Sequence, residues 1–248
     1  MDLKNNTVLI TGGSSGIGLE LAKVLIQRGN TVIICGRSAQ KLEKVKSLEP
    51  KLITYQCDLA SSEECAELLK TLAENHPNLN ILINNAAIVH KTNFLGTEKI
   101  MEMANYEIET NFMAPIRLIH HLTPLLQKNQ DPAIINITTG LIYIPRADYP
   151  FYNSTKAALH SFTQVFREQS KGSNIHTVEV MFPAVDTPWH NGKPPKIAIP
   201  TEKAVAEMIK GLEKGKTEIR VAGAKLLYRI SRIAPKFGFK KVNSLQDA

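Results

Sequence analysis

In Tyr152-Asn153-Ser154-Thr155-Lys156 a phenol and an ammonium stand one helical turn apart, so a helix would present both on one face. A free tyrosine, with a pKa near 10, exchanges protons poorly at neutral pH. A neighbouring ammonium favours the phenolate and lowers that value, and a shift of about 3 units corresponds to roughly 4 kcal/mol of differential interaction. A tyrosine tuned in this way can pass a proton to or from a reacting oxygen. The pair is a candidate acid/base centre.

A second cluster lies near the start of the chain. Thr11-Gly12-Gly13-Ser14-Ser15-Gly16-Ile17-Gly18 follows an apolar strand pattern and opens a helical one. Glycines there permit a tight turn and let backbone amides approach a pyrophosphate at the positive end of a helix. Strand, turn and helix in that order give the cluster its meaning. Gly12, Ser14, Ser15, Gly16, Ile17 and Gly18 are the expected phosphate-side contacts. At the end of the next strand pattern, Ile34-Cys35-Gly36-Arg37-Ser38 lacks the acid that would take a ribose 2′-hydroxyl. Arg37 offers a planar fork to a 2′-phosphate and Ser38 adds a donor, so the expected cofactor is NADP(H).

These residues sit in a regular alternation of short apolar strands and longer helical stripes, which marks βαβ units and a parallel sheet. Strands are expected at Thr7–Thr11, Thr31–Gly36, Leu52–Cys57, Ile81–Asn84, Ala133–Thr138, Ile175–Phe182 and Glu218–Ala222. Helices are expected at Gly16–Arg28, from a Ser61/Glu64 capping box to about Asn75, at Thr97–Phe112 and Ala114–Gln127, and at Tyr152–Lys171. Four prolines between Asp186 and Pro200 predict a surface loop near a functional edge.

The TGxxxGxG spacing, Asn84-Asn85-Ala86-Ala87 at the close of the fourth strand, the Tyr152/Lys156 pair and Pro183 to Thr187 follow one another in an order that resembles the classical short-chain dehydrogenase/reductase family over nearly the whole chain. The resemblance implies one Rossmann-like, doubly wound α/β domain over residues 1–248, with about seven parallel strands in the order 3-2-1-4-5-6-7. It makes Tyr152 the acid/base, and Lys156 the group that lowers its pKa and bonds the nicotinamide ribose. Thr139 takes the place of the family's substrate-binding serine; its hydroxyl is equivalent, while its methyl is stiff and narrows the pocket. Asn111 matches the asparagine that holds a relay water. Asp58 and Leu59 match the adenine contacts, Asn85 and Ala86 the fourth-strand motif, and Pro183, Val185 and Thr187 the nicotinamide carboxamide segment. Alanine stands for the motif glycine at Ala87 and at Ala184. His90, Leu141, Tyr143, Tyr149 and Trp189 are expected to line the substrate side, with the loop at about 186–200 nearby. The stretch from Thr139 to Ser161 looks closest to bacterial members associated with the D-alanylation-of-teichoic-acid operon.

The expected activity is NADP(H)-dependent interconversion of a carbonyl and a secondary alcohol. A nucleotide-sugar epimerase of the extended branch would use the same pair, with another glycine spacing and a longer substrate domain. A non-catalytic NADP(H)-binding sensor or scaffold of the same fold is the alternative from another class, supported by the exchange at Thr139. The family implies a homodimer or homotetramer.

Composition agrees with an ordinary globular chain: 248 residues, 43% hydrophobic and 21% charged. Cys35, Cys57 and Cys65 form neither a CxxC pair nor a metal-ligand pattern, which predicts no metal and a reducing, cytoplasmic setting. The net charge of +7 is scattered and carries no nucleic-acid motif. His120-His121 reads as a surface or interface pair. The basic, amphipathic stretch at about 225–241 reads as a helix packed on the domain or between subunits; reversible membrane contact is the sharper alternative.

Overall fold

The structure is a computed structural model that describes residues 1–190 and 192–244; Asn191, inside the expected loop, and residues 245–248 lie outside them. Its first half alternates strand and helix: β1 (Thr7–Thr11), α1 (Gly16–Gln27), β2 (Thr31–Gly36), α2 (Ala39–Leu48), β3 (Ile53–Gln56), α3 (Ser62–Asn75) and β4 (Leu79–Asn84). Next come α4 (Ile100–Ile108), α5 (Ala114–Leu126), β5 (Ala133–Thr139), α6 (Pro150–Gln169) and β6 (His176–Phe182). The last part holds β7 (Val185–Asp186), β8 (Ile199–Pro200), α7 (Thr201–Glu213), β9 (Glu218–Arg220), α8 (Gly223–Ile233) and α9 (Pro235–Asn243).

Seven strands form one sheet in the order β3-β2-β1-β4-β5-β6-β9, each pair parallel. Parallel strands covered on both faces must be apolar on both, and β1 shows how this is met. Val8 and Ile10 pack with Leu21 and Leu25 of α1 and Met208 of α7, while Leu9 packs with Leu68 of α3 and Leu118 of α5. Each such buried aliphatic contributes roughly 1.5–3 kcal/mol. The sheet order is the expected one.

Several elements depart from the expected boundaries, each for a local reason. Half of the Ser61/Glu64 box forms: the Ser61 hydroxyl accepts from Glu64 N at 3.2 Å, but the Glu64 carboxylate reaches Asp58 N at 2.7 Å. Helix α6 begins two residues before Tyr152 because Pro150, its backbone angle already helical, occupies the first turn. Between α4 and α5 the helix does not break but widens into a π-type turn over Glu109–Met113. The expected surface loop is tied at its base, where β7 and β8 pair in parallel as Val185 with Ile199 and Asp186 with Pro200. The single basic C-terminal stretch divides at Ala234-Pro235 into α8 and α9, since proline cannot continue a helix.

Candidate active site

The glycine-rich turn joins β1 to α1. Gly12 has φ +65°, and a Cβ there would lie 2.8 Å from Ala86 Cα. Gly18 is a packing glycine: a Cβ on it would stand 2.5 Å from the Gly12 carbonyl oxygen. Thr11 and Asn85 hold the turn against the end of β4. The Thr11 hydroxyl accepts from Asn85 N and Ala86 N, each at 3.0 Å, and Asn85 Nδ2 donates to the carbonyls of Thr11 and Gly12 at 2.9 and 3.2 Å. Asn85 thus shapes the turn from within.

At the end of β2, Arg37 Nη1 donates to the Tyr106 hydroxyl at 2.6 Å, and that hydroxyl donates to Asp58 Oδ2 at 3.0 Å. The Ser38 hydroxyl caps α2 by accepting from Lys41 N at 3.3 Å. Lys41 brings a second cation to the same corner; its place in the first turn of α2, four residues after Arg37, was the available signal. Tyr106 had none, because it comes from a helix far away in the chain.

The chemical end is built from β5, α6 and the π-type turn. Tyr152 and Lys156 lie on one face of α6, and Thr139 closes β5. The Thr139 hydroxyl accepts from Leu141 N at 3.2 Å and lines the cavity beside the Tyr152 phenol. Burial pushes the Tyr152 pKa up to about 12; the neighbouring Thr139 hydroxyl pulls it down, and the nearby Glu107 and Tyr149 add to the rise. This reverses the expected lowering. Lys156 is 2% exposed, and its Nζ donates to the Ile137 carbonyl at 2.9 Å. Burial draws the Lys156 pKa down to about 8, against the opposing pull of Glu179. Glu179 is itself buried, bonded by the Thr138 hydroxyl at 2.6 Å and by His160 Nδ1 at 2.7 Å.

Asn111 lies in the π-type turn, where the local widening aims its amide at the strand after β4. Its Oδ1 accepts from Ile88 N and its Nδ2 donates to Ile88 O, both at 2.8 Å. A third contact runs from Nδ2 to the Thr155 hydroxyl at 3.3 Å. Asn111 therefore clamps the Ile88 backbone to the turn before α5 and to α6.

These groups meet around one cavity of about 660 Å³ across the carboxyl ends of the strands. Every residue expected at the cofactor lines it except Gly18, which is packed beneath the turn. Thr139, Tyr152 and Lys156 line it too, while Asn111 stands behind Ile88. Of the substrate candidates, Leu141, Tyr149 and Trp189 face it. The indole of Trp189 stacks on Tyr152 at 6.5 Å between ring centres and leans on Tyr149 at 5.8 Å.

His90 and Tyr143 are turned elsewhere. His90 gives its backbone N and its Nδ1 to Glu107 Oε1 at 2.7 and 2.9 Å, because a fully buried carboxylate needs donors. Burial still pushes Glu107 upward, and the two His90 bonds pull against it. Tyr143 donates to Met181 Sδ and accepts from Arg220 Nε, each at 2.9 Å, with Arg220 lying over the Tyr228 ring at 4.1 Å. Ile197 of the expected loop lines the cavity, together with a wall that the sequence had not marked, made by Ile144, Leu226, Leu227 and Ile230. The apolar stripe of α8 was its signal, taken there as packing.

A parallel sheet in this order, a glycine turn after β1 and a cavity over the strand ends define a Rossmann-like α/β protein. A family model described as short chain dehydrogenase matches residues 6–197, and the chain belongs to that family of oxidoreductases. An uncharacterized oxidoreductase of Bacillus subtilis, DltE, is 44% identical over 225 residues, 88% of this chain and 89% of that one. The fold is shared with a short chain dehydrogenase from Burkholderia cenocepacia in complex with NADP (TM-score 0.85, 22% identity, 98% of this chain and 99% of that one). A short-chain dehydrogenase from Sphingobium yanoikuyae in complex with NADPH is similar at TM-score 0.80 and 22% identity, covering 98% of each chain.

Proposed function

We propose that the protein is an NADP(H)-dependent oxidoreductase that interconverts a carbonyl and a secondary alcohol, with Tyr152 as the acid/base. The observation that carries this reading is Thr139 and Tyr152 lining one end of a cavity whose other end holds Arg37. The residues fit the phosphorylated cofactor. Arg37, Ser38 and Lys41 gather at the end of β2, and Asp58, which lines the cavity with them, is engaged by Tyr106. Gly12 to Ile17 would receive the pyrophosphate, and Pro183, Val185 and Thr187 the carboxamide. When bound, NADPH supplies the hydride.

The protein's part is to hold the carbonyl and manage one proton. Thr139 and Tyr152 receive the carbonyl oxygen, and Tyr152 gives it the proton as the alkoxide charge develops. A phenol held near 12 keeps its proton at neutral pH and gives it up only as the alkoxide, a far stronger base, develops. Lys156, anchored on Ile137, is a cation in the same cavity that would stabilise the tyrosinate left by the transfer. Trp189, Tyr149 and Leu141 exclude water and favour apolar or aromatic carbonyl compounds. The family-like homodimer or homotetramer is part of the same reading; light scattering that finds only monomer would remove it.

The test is NADPH oxidation with a panel of aldehydes, ketones and quinones, with NADH as comparator and Tyr152→Phe beside the wild type. Turnover that prefers NADPH and falls by about 10²–10⁴-fold in the variant is expected. Tight NADPH binding without turnover on any panel member would favour the sensor or scaffold instead.

A further inference from the structure

The C-terminal hairpin of α8 and α9 is unlike the rest of the surface. Between Val221 and Ser244 there are six cations (Lys225, Arg229, Arg232, Lys236, Lys240 and Lys241) and no Asp or Glu. Lys225 is engaged by Glu207 at 3.2 Å and Arg232 lies over the Tyr228 ring. Arg229, Lys236, Lys240 and Lys241 are exposed and have no carboxylate within salt-bridge distance among the described residues. The same two helices expose large apolar side chains: Ile233 at 83%, Phe237 at 63%, Leu226 at 59% and Phe239 at 50%.

The hairpin is a fixed part of the fold. Asn243 donates from Nδ2 to the Pro145 carbonyl at 3.1 Å and accepts from Ala147 N at 2.6 Å. A Cβ on Gly238 would lie 2.6 Å from both Ile144 and Ile230, so α9 sits hard against α8 and the wall of the cavity. That wall continues into the exposed face: Leu226, Ile230, Lys241 and Val242 line the cavity, and Trp189 and Ile197 at its mouth are exposed as well.

We propose that the α8–α9 hairpin docks on an anionic lipid surface. Its composition meets both requirements of interfacial adsorption, apolar side chains for the acyl boundary and cations for the headgroups. No described helix is long and apolar enough to cross a membrane, so the contact is peripheral. A second copy of the chain fits this face poorly. A two-fold contact sets a patch against itself, and here that places the exposed Arg229, Lys236, Lys240 and Lys241 against the same four cations of the copy, with no Asp or Glu on α8 or α9 to answer them. A soluble polyanion would answer the charge but leave Ile233, Phe237 and Phe239 in water. Docking in this way would turn the mouth of the cavity towards the lipid.

The experiment is co-sedimentation of the full chain with phosphatidylcholine vesicles and with phosphatidylcholine–phosphatidylglycerol vesicles, at low and high salt. It reads binding and does not depend on turnover. The chain should pellet with the anionic vesicles, release at high salt, and stay in solution with the neutral ones. Lys236→Glu/Lys240→Glu and, separately, Phe237→Ser/Phe239→Ser should each lower partitioning by about tenfold or more, with near-UV dichroism unchanged. Absence of pelleting at any composition, or pelleting equal in wild type and the charge-reversed chain, overturns the proposal. A wild-type dimer that the phenylalanine pair of substitutions splits into monomers, without vesicle binding, also overturns it and assigns the face to a second copy.

Discussion

At the residue scale, burial decides the protonation states that charge alone would not. Spacing puts an ammonium one turn from Tyr152, yet the low-dielectric surroundings raise the phenol and depress the amine. For Lys156 the consequence is thermodynamic. The unfolded chain holds the proton with a pKa near 10.5 and the folded one with about 8, so folding pays a cost below pH 8 that disappears as pH rises to 10.5. The full difference amounts to roughly 3 kcal/mol. Denaturant titrations should therefore show the wild type gaining stability relative to Lys156→Met between pH 8 and 10; a flat difference would refute the buried cation. Above pH 10 Tyr152 works the other way, because the folded state then holds its proton more tightly and stability falls as pH rises. Arg37 carries a second prediction. Arg37→Ala removes a charge-assisted contact of about 1.5–3 kcal/mol, so KM for NADPH should rise about 10- to 100-fold while that for NADH hardly moves. Equal effects on both cofactors would place the 2′-phosphate elsewhere.

At the scale of elements, the π-type turn is the feature that joins helix to site. An ordinary α-helix through Glu109–Met113 would carry the Asn111 amide around the axis and away from Ile88. Asn111→Ala should leave the Ile88 amide and carbonyl without their partner and cost about 1–3 kcal/mol in chemical denaturation, together with a loss of turnover. A stable but inactive variant would separate the water-relay role from the clamp; a stable and active one would refute both. The same scale explains why two substrate candidates went astray. His90 and Tyr143 stand near the site in the chain, but Glu107 on α4 and Arg220 at the end of β9 draw them off. Neither partner is close in sequence, so neither could be read there.

For the whole molecule, the sheet is a rigid platform and the cavity is spread over elements from both ends of the chain. Ligand binding at such a site stabilises the entire fold. NADPH at about 100 times its dissociation constant should add about 2.7 kcal/mol, seen as a rise in Tm, with NADH giving a smaller rise at the same concentration. An identical shift with the two cofactors would argue against the Arg37 corner as a phosphate site.

Much of this protein is written locally and could be read directly. The Tyr152/Lys156 spacing, the turn from Gly12 to Gly18 and the missing acid after β2 concern neighbours in the chain, whose geometry follows from helical and strand periods. Alternating apolar strands and helical stripes likewise pointed to a parallel sheet, since a helix after each strand is the crossover that parallel pairing needs. Packing decided the rest. The rise of Tyr152, the fall of Lys156, the Glu107–His90 pair, the widened turn at Asn111 and the far wall supplied by α8 and α9 all depend on which distant side chains close over a group and exclude water. Desolvation and hydrogen-bond partners act through space, and only the folded chain brings them together.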